Sequence, residues 1–527
     1  MIKTNIKLPI GYSADDIKEA LTRALPISKD EIKKVNIIRR SINLSDKKDI
    51  HYDLTLEAEF SEEREAGLLK MKKKVKPAER FELDPPPSKL KTRPIVVGAG
   101  PAGLFAALLL AEAGAMPILY ERGLSAEERG KKIKLFESLG ILDTECNVQF
   151  GEGGAGAYSD GKLKVGAMDK YKKWILERFV ECGAPADILF SATAHVGTDL
   201  LGGIISRIRK RIESLGGEVF FGTKLVSIKV RENRLVGGEI ERDGKREAFS
   251  TDTLILATGH SAKDTFEMLL ECGATLTPRP FGIGVRIEHK REYTDKMVYG
   301  DSAPGGIETA SYHLVTHLKN GRSVYSFCMC PGGSVVAAAS EKFGVVTNGM
   351  SEYRRDGENS NAAFLVSLTP EDFGSTDPLC GVSFQRKIEK AAYSLTSSYR
   401  APTQRMEDFI SDKKTSSFGE ILPTYPIGTE FFRCEDYLPE FVTDSLRAAI
   451  GEFDEWMPGF YHSDALLTGP ETRSTSPVRV ERDETFSAVG IEGLYPIGEG
   501  AGYSGGIISS ARDGAVVARS ILERKNN

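Results

Sequence analysis

The order of apolar and polar residues predicts a small module of strands and one helix at the start of the chain. Ile2 to Leu8 and Ile50 to Phe60 alternate between apolar and polar residues, which is typical of strands with one buried face. From Ala14 to Ala24, apolar residues recur every three to four positions, and this spacing predicts an amphipathic helix. With a further strand from Val35 to Leu44, the segment has a βαββ pattern.

A basic run and a proline-rich spacer follow this module. Lysines crowd the segment from Lys70 to Lys76, and the segment from Asp84 to Ser88 reads DPPPS. Consecutive prolines favour an extended, semi-rigid chain, so we expect few contacts between the parts on either side of the spacer. We therefore predict a first domain at residues 1–85, an α+β module that resembles the ferredoxin-like fold.

After the spacer, a short apolar segment leads into a cluster of glycines. Residues 94–97 read PIVV and residues 98–103 read GAGPAG, after which Ala and Leu dominate the next predicted helix. A second apolar segment, 117–120, ends at Glu121, which stands 23 positions after Gly98. Strand, glycine turn, helix, strand and acidic residue in this order are the features of a dinucleotide-binding βαβ unit.

Each of these positions has a specific chemical role in such a unit. Gly98 permits the tight turn, Gly100 lets a pyrophosphate approach the backbone, and Gly103 lets the helix pack closely on the strand. The free N–H groups at the start of the helix hold the phosphates. Glu121 is expected to accept hydrogen bonds from the ribose hydroxyls of an adenosine. The unit predicts a bound dinucleotide and leaves FAD and NAD open.

Two distant segments favour FAD. Residues 253–260 read TLILATGH and predict a second buried strand, and residues 493–500 read GLYPIGEG and predict a third, which leads into a helix with a glycine-rich start. The residues at the ends of these strands that we expect at the cofactor are Thr258, Gly259, Gly498 and Glu499. This order of segments resembles the flavoproteins of the glutathione-reductase and fumarate-reductase type.

That resemblance implies a role for the C-terminal segment. In such flavoproteins the acidic residue binds a ribityl hydroxyl of FAD, and the positive end of the next helix points at the flavin ring. Carried onto this chain, Glu499 is the ribityl ligand, and Gly505, Gly506 and Ile507 supply the start of the helix.

Four longer motifs carry a closer resemblance. They are FGEGGAGAYSDGKL at 150–163, IGVRIEH at 283–289, CMCPGG at 328–333 and ETRSTSPVR at 471–479. With these motifs the chain resembles, over most of residues 1–525, a bacterial family of uncharacterised FAD-dependent dehydrogenases. The resemblance implies FAD and an FAD-binding fold, and it names no substrate.

Further cofactor contacts are expected near these motifs. Gly153 and Gly154 belong to a loop with five glycines in eleven residues, whose N–H groups can approach a pyrophosphate or a flat ring. Arg122 and Arg129 follow Glu121, and in related flavoproteins a basic residue in this segment meets the pyrophosphate. We place both arginines at the cofactor and expect Arg129 to bind the pyrophosphate.

Two smaller patterns are interpreted structurally. Ser261 and Asp264 have the spacing of a helix capping box, which places His260 at a strand-to-helix turn. Cys328 and Cys330 would face the same side of one strand about 7 Å apart, too far for the usual disulfide, so we interpret them as small buried side chains. No His, Cys or Asp cluster has metal-ligand spacing, and the sequence assigns no catalytic residue.

Together these patterns predict an α/β fold class. A Rossmann-like FAD-binding domain is expected in two parts, 94–275 and 484–527, with a mainly-sheet domain at 276–483 inserted between them to cover the substrate. The insertion lacks a second G-x-G-x-x-G unit for NAD(P)H. The expected partners are therefore a small-molecule substrate and, as the source of electrons, a reductant protein or transient NAD(P)H.

Composition narrows the classes of function. The 527 residues carry 70 Lys and Arg against 75 Asp and Glu, so the whole chain is no polycation for a membrane or a nucleic acid. Basic side chains are in excess at one end, with 21 against 16 acidic ones in residues 1–93. The seven cysteines are an odd number without the spacing of a disulfide framework, which fits a reducing compartment. The start of the chain lacks the basic and then apolar residues of a signal peptide, so we expect a cytoplasmic location.

The leading hypothesis is an FAD-dependent oxidoreductase that exchanges a hydride between flavin N5 and a small molecule. A flavoprotein that acts on RNA through the basic module is one alternative, and an FAD-binding protein without catalysis is another. The acidic balance of the chain beyond residue 93 disfavours the RNA hypothesis.

Overall fold

The N-terminal segment forms a four-stranded antiparallel sheet. The computed structural model describes residues 1–71, 74–301 and 303–526, so Lys72 and Lys73 of the basic run lie outside the described residues. The elements of this segment are β1 (Ile2–Pro9), α1 (Ala14–Ala24), β2 (Lys34–Asn43), β3 (His51–Glu59), α2 (Glu62–Leu69) and β4 (Lys76–Pro77). The strand order is β2-β3-β1-β4. The predicted βαββ elements are present, whereas the charged composition of the following run conceals α2 and β4.

Alternation of apolar and polar residues explains how this module folds. Strand β1 buries every second side chain, and Ile17 and Leu21 of α1 pack in the same apolar cluster. Ser13 caps α1, because its hydroxyl accepts a hydrogen bond from the Asp16 N–H at 3.3 Å. The Asp16 carboxylate in turn accepts from the Ser13 N–H at 2.7 Å, which completes a capping box.

The module is docked on the rest of the chain. The Arg40 N–H of β2 donates to the Phe190 carbonyl at 2.7 Å, and the Ala192 N–H donates to the Arg40 carbonyl at 2.8 Å. Ile50 lies in one apolar cluster with Tyr299. The expectation of few contacts across the proline spacer is therefore wrong, because the edge strand of the module adds backbone hydrogen bonds to the body.

The next part of the chain alternates strands and helices before a small antiparallel sheet. Its elements are β5 (Ile95–Val97), α3 (Pro101–Glu112), β6 (Ile118–Tyr120), α4 (Ala126–Leu139), α5 (Lys170–Glu181), α6 (Thr198–Ser214), β7 (Glu218–Phe220), β8 (Thr223–Arg231), β9 (Arg234–Arg242), β10 (Lys245–Ser250), β11 (Leu254–Leu256) and α7 (Lys263–Glu271). Strands β8, β9 and β10 form the antiparallel sheet.

A segment dominated by antiparallel strands follows. Its elements are β12 (Leu276–Pro278), β13 (Phe281–Lys290), α8 (Arg291–Tyr299), β14 (Val315–His317), β15 (Ser323–Cys330), β16 (Ser334–Ala337), β17 (Thr347–Met350), β18 (Asn359–Leu368), α9 (Cys380–Thr396), β19 (Ala401–Arg405), α10 (Met406–Ile410), β20 (Thr429–Phe431), α11 (Glu440–Trp456), β21 (Leu466–Glu471) and β22 (Val478–Val480). A seven-stranded sheet runs in the order β14-β15-β18-β13-β21-β19-β20. Its central strands β13 and β18 are buried on both faces, and β13 carries Arg286, Glu288 and His289 into the interior.

The chain ends with β23 (Leu494–Pro496) and α12 (Ile507–Asn526), which return to the first sheet. That sheet is parallel, with the order β23-β11-β5-β6-β7. Helix α3 is buried at every position from Ala102 to Ala111, where it packs in one core with α12. Burial on all sides explains why the sequence of α3 has no polar face.

Strands β12 and β22 mark where the chain leaves the parallel sheet and returns to it. They pair antiparallel, from Leu276 opposite Val480 to Pro278 opposite Val478. The architecture is mixed α/β, as the sequence predicts. The domain boundaries at residues 275 and 483 remain a prediction. Within the described ranges, the helices are all too short or too polar to cross a membrane.

Candidate functional site

A cavity of about 540 Å³ lies at the carboxyl ends of β5, β11 and β23. In parallel sheets of this kind, ligands bind beyond the carboxyl ends of the strands. One end of the cavity, which we call the glycine end, is lined by Gly98, Gly100 and Glu121. The other, which we call the charged end, reaches the seven-stranded sheet and is lined by Lys162, Cys328, Asn348 and Glu471.

Each of the three glycines of the βαβ turn is required for a different structural reason. Gly98 has a φ of +103°, and a Cβ there would lie 2.3 Å from the Ala257 carbonyl oxygen. A Cβ on Gly103 would lie 1.9 Å from the Gly98 oxygen, so this residue serves the packing of α3 and does not line the cavity. A Cβ on Gly100 would meet only the Gly154 Cα, at 3.8 Å, so Gly100 keeps space free in the cavity and not in the core.

Glu121 lines the cavity and also holds its walls together. One carboxylate oxygen accepts a hydrogen bond from the Ala99 N–H at 2.7 Å. The other accepts from the N–H groups of Gly123 and Gly151, at 2.8 and 2.9 Å. A carboxylate has about four acceptor positions, so three are occupied and one remains for a ribose hydroxyl. The sequence predicted the ribose role and gave no sign of the structural one.

Arg129 is not placed to bind a pyrophosphate, so this prediction is wrong. The side chain is fully buried behind the loop that follows α4 and lies outside the cavity lining. Its guanidinium donates to the carbonyls of Asn147, Val148 and Glu152 at 2.8 to 2.9 Å. Three loop carbonyls therefore use its donors, and Arg129 fixes the shape of the glycine-rich loop.

Arg122 lines the cavity, but its charge is already paired. It forms a bidentate pair with Asp264 at 3.0 and 3.1 Å, donates to Glu145 at 2.8 Å, and stacks over the Phe150 ring at 4.2 Å. Burial opposes ionisation of Asp264, but Arg122 and Lys224 outweigh it and lower its pKa to about 2. The predicted capping box is therefore wrong: Asp264 pairs with Arg122, and α7 begins without a side-chain cap.

The glycine-rich loop packs glycine against glycine. Gly154 lines the cavity, and a Cβ there would lie 3.0 Å from the Gly100 Cα. Gly153 lies outside the cavity lining, where its N–H donates to the Ala99 carbonyl at 2.8 Å. A Cβ on Gly153 would lie 2.6 Å from the Ile205 side chain. Both residues thus shape the site, and Gly154 alone of the pair borders it.

The C-terminal strand and helix close the cavity where the sequence placed them. The predicted cofactor residues that line it are Thr258, Gly259, Gly498 and Glu499. Gly505, Gly506 and Ile507 line it as well, and α12 begins at Ile507 with its positive end at the cavity. No protein atom lies within 4 Å of a Cβ built on Gly505, so this helix start is open to a ligand.

Glu499 and His260 are both held in their neutral forms. The Glu499 side chain is 25% exposed, and its carboxylate lies 3.8 Å from the His260 Nε2. Burial raises the pKa of Glu499 to about 8, with a smaller contribution from the nearby Cys328. Burial lowers the pKa of His260 to about 4, helped by the charges of Arg473 and Lys263. At neutral pH, Glu499 can therefore donate a hydrogen bond as well as accept one.

The charged end is organised by Arg286, which is fully buried. Its guanidinium forms a bidentate ion pair with Glu471 and donates to the Cys328 carbonyl at 2.8 Å. It also donates to the side-chain oxygens of Asn348 and Asn361, at 2.8 and 3.1 Å. Burial raises the pKa of Glu471 to about 7, although Arg286 opposes that shift.

Lys162 brings a further buried cation to the charged end. Its Nζ donates to the Ser311 hydroxyl at 3.2 Å and to the Met329 carbonyl. Burial lowers the pKa of this ammonium group. In the part of the chain that the structure describes, no carboxylate lies within ion-pair distance of Nζ. Lys162 is therefore available to an anionic or carbonyl group in the cavity.

Cys328 and Cys330 do not follow the regular strand geometry that the sequence predicts. The pairing of β15 with β18 shifts register between Phe327 and Cys330, and Cys328 has a φ of +39°. This bulge places the Cys328 side chain at the cavity, while the Cys330 Sγ donates to the Cys328 carbonyl oxygen at 3.2 Å. The prediction of small buried side chains holds for Cys330 and is wrong for Cys328, which is half-buried and lines the cavity.

The sequence did not predict a role at the site for the single residues of the charged end, although the four long motifs contain them. Lys162, Arg286, Cys328 and Glu471 each belong to a different motif. They come from a loop, a central strand, a bulge and a strand end, and only the folded sheet brings them together. Their presence in unusually long motifs was the available signal.

Comparison with known proteins shows the family to which the chain belongs. A family model described as "FAD-dependent protein, C-terminal domain-like" matches residues 280–474, the segment that carries Arg286, Cys328 and Glu471. An uncharacterized protein of Clostridium beijerinckii is 42% identical over 526 residues, which cover 99% of this chain and 98% of that protein. The chain belongs to this family of uncharacterised FAD-dependent proteins. Its cofactor is FAD.

The cavity fits this cofactor. The free space at Gly100, the open acceptor position of Glu121 and the start of α12 all border this one cavity, and a pyrophosphate, a ribose and a flavin ring need such features. Glu499 lines the same cavity and offers a carboxyl group to a ribityl hydroxyl. When bound, FAD supplies the capacity to take up and release a hydride.

Several solved flavoprotein structures are also similar to this chain. A flavoprotein/dehydrogenase from Cytophaga hutchinsonii is 11% identical, with 82% of this chain and 79% of that one covered, at a TM-score of 0.35. The quinol fumarate reductase FrdA of E. coli is 12% identical, with 85% and 71% covered, at a TM-score of 0.36. A geranylgeranyl bacteriochlorophyll reductase-like protein of Thermoplasma acidophilum is 11% identical, with 82% and 78% covered, at 0.35. Scores at this level carry no argument about function.

Proposed function

We propose that the protein is an FAD-dependent oxidoreductase that exchanges a hydride between flavin N5 and a small-molecule substrate held beneath the seven-stranded sheet. One observation carries this proposal: a single cavity runs from the glycine end to buried polar groups that serve no nucleotide. A protein that only stored FAD would have no use for Lys162 and Arg286 at the far end, because burying such charges is costly.

The charged end supports an anionic or carbonyl-bearing substrate. Within the described residues Lys162 offers an ammonium group without a carboxylate partner, and Asn348, whose side-chain oxygen accepts from Arg286, also lines the cavity. Arg286 is bound to Glu471 and to backbone, so its task is to hold these groups and not to bind the substrate itself. The sheet above them excludes water, which strengthens every polar contact within the cavity.

Burial keeps the Glu499 carboxyl at the site in its protonated form, by raising its pKa to about 8. Glu499 therefore holds a proton that a negatively charged product can accept, whereas both oxygens of Glu471 are bound by Arg286. The start of α12 favours negative charge on the flavin side of the cavity. The protein's share of the chemistry is thus orientation, exclusion of water and one proton donor.

The electron donor is proposed to be the substrate, transient NAD(P)H or a reductant protein. The segment from β13 to β21 is mainly antiparallel, and its parallel pair of β19 and β20 leads from Arg405 straight into α10 without the glycine turn that a second nucleotide unit needs. A dedicated and tight nicotinamide site is therefore not part of this proposal.

Anaerobic stopped-flow bleaching of the bound flavin tests the proposal. NADH, NADPH and a panel of small carboxylates and carbonyl compounds are mixed with the FAD-loaded protein. We expect slow, non-saturating reduction by either nicotinamide and fast, saturating exchange with one member of the panel. Lys162→Met should slow that exchange while the protein keeps its flavin, and Lys210→Met on the exposed surface of α6 is the matched control. Rapid and saturating reduction by a nicotinamide would contradict the proposal.

A further inference from the structure

The bulge at the end of β15 presents a pair of cysteines to the cavity. Cys328 is half-buried and lines the cavity, whereas Cys330 is buried behind it. The Cys330 Sγ donates a hydrogen bond to the Cys328 carbonyl oxygen at 3.2 Å, so its thiol lies against the bulge that carries Cys328. A residue other than glycine at a φ of +39° is uncommon, so the bulge is a specific arrangement and not a default of the strand.

Cations surround this pair more closely than anions do. Arg286 holds the Cys328 carbonyl at 2.8 Å, and its Nη1 lies 3.9 Å from the Cys330 sulfur. The ammonium group of Lys162 donates to the carbonyl of Met329, between the two cysteines. The nearest anions are neutralised, since Asp160 pairs with Arg355 and Glu471 pairs with Arg286.

This environment separates the two thiols chemically. The neighbouring Cys330 lowers the pKa of Cys328, with help from the charges of Arg286 and Lys162 and against the effect of burial. Burial and the neighbouring Cys328 raise the pKa of Cys330. A thiolate beside a protonated thiol is the resting form of a dithiol that can close to a disulfide.

A spare hydrogen-bond donor marks the same place. Asn361 stands opposite Cys330 in the strand register and is buried. Its side-chain oxygen accepts from Arg286, but within the described residues its amide nitrogen has no hydrogen-bond partner. A buried donor without a partner is rare and points to a group that is present only when the site works.

We propose that Cys328 and Cys330 are a redox-active dithiol that exchanges two electrons with the bound flavin. The inference rests on the proposed function only in requiring bound FAD at the other wall of the cavity. Cys328 and Glu499, the predicted ribityl ligand, line the same cavity. The pair therefore stands next to the flavin side of the cavity.

The step balances without an added reagent. In one direction, reduced flavin gives two electrons and one proton to the disulfide, the S–S bond breaks, and the products are oxidised flavin, the Cys328 thiolate and the Cys330 thiol. In the other direction, the thiolate and thiol lose two electrons and one proton to oxidised flavin, and the S–S bond forms. A disulfide or thiol compound is the class of molecule that can then exchange with Cys328 from the cavity.

The other cysteines provide an internal contrast. Cys146, Cys182, Cys380 and Cys434 are buried, and burial raises the pKa of each thiol. The side chain of Cys182 lies in the core beside α5, away from the cavity. Cys182→Ser is therefore the matched control for Cys328→Ser and Cys330→Ser.

Reductive titration of the FAD-loaded protein tests the proposal. After mild oxidation with diamide, wild type and Cys182→Ser should consume two electron pairs of dithionite per flavin. Cys328→Ser and Cys330→Ser should consume one pair, because the flavin alone remains. Wild-type protein that consumes one pair would overturn the proposal. This titration needs no substrate, so its result can be interpreted even if no metabolite reduces the flavin.

Peptide mapping of wild-type protein gives a second test that depends on no variant. After oxidation, the peptide with both cysteines should be lighter by two hydrogen atoms and resist alkylation, and dithiothreitol should reverse both changes. Before oxidation, iodoacetamide should label Cys328 at a lower pH and faster than Cys182. A peptide that stays fully alkylatable after oxidation would contradict the proposal, however fast Cys328 reacts.

Discussion

The glycine end and the charged end of one cavity are built in opposite ways. The glycine end relies on backbone: N–H groups, a helix start and positions where a side chain would collide, as at Gly98. The charged end relies on buried ionic side chains held by each other, above all Arg286 and Glu471. A cofactor of fixed shape can thus be bound by backbone groups, whereas the substrate is contacted by side chains from distant segments of the chain.

The largest expected effect comes from the charged end. Arg286→Met should lower the free energy of unfolding by about 3–5 kcal/mol, because it leaves Glu471 and the Cys328 carbonyl buried without their partner. Urea unfolding of the FAD-loaded protein measures this change. Arg519→Met, which breaks an exposed pair on α12, should cost at most about 1 kcal/mol and serves as the control. Equal losses in the two variants would remove the contrast between the two ends.

Gly100→Val tests the glycine end without disturbing the core. The added side chain meets no close atom in the protein but occupies the cavity, so it should weaken FAD binding by about 3 kcal/mol or more, over a hundredfold. Circular dichroism should show an intact fold. Gly103→Val should instead yield misfolded protein, because its side chain would collide with the Gly98 carbonyl. Full flavin content in Gly100→Val would show that the pyrophosphate lies elsewhere.

The same contrast explains what could be predicted from the sequence. Gly98, Glu121 and Glu499 act where their own strands end, so local order was enough to place them at the cavity. Local order was not sufficient for Arg129, because a loop more than fifteen residues away folds over its side chain and accepts its hydrogen bonds. The bulge at Cys328 lies before Pro331 and Gly332, so these turn residues indicate the end of β15 and not the bulge inside it.

Glu121→Gln should have an intermediate effect. The amide keeps one acceptor oxygen but turns its NH₂ group toward backbone N–H donors, so one or two hydrogen bonds to a charged group are lost. FAD affinity should fall by about 1.5–3 kcal/mol. Isothermal titration of the FAD-free protein measures this, with Glu127→Gln at the exposed start of α4 as control. Unchanged affinity would mean that Glu121 serves the loops alone.

Glu499→Gln should change stability little near pH 5, where the Glu499 carboxyl is neutral in the folded protein, and should act on stability through its pH dependence. Its pKa is about 8 in the folded protein and near 4.5 when unfolded, so between these values the folded state holds the extra proton. Wild-type stability should therefore fall as pH rises from about 5 to 8, and the variant should lose less over the same range. Thermal unfolding of FAD-free protein at several pH values measures the difference. Parallel curves would show that the Glu499 carboxyl is not held neutral.

The flavin content of the purified protein tests the central claim most directly. Protein reconstituted with FAD and freed of excess should show the absorbance of one oxidised flavin per chain. Heat or acid should release all of it as FAD, because the cavity offers backbone and hydrogen bonds to hold the cofactor. A colourless protein that takes up no FAD on reconstitution, while remaining folded, would contradict the account.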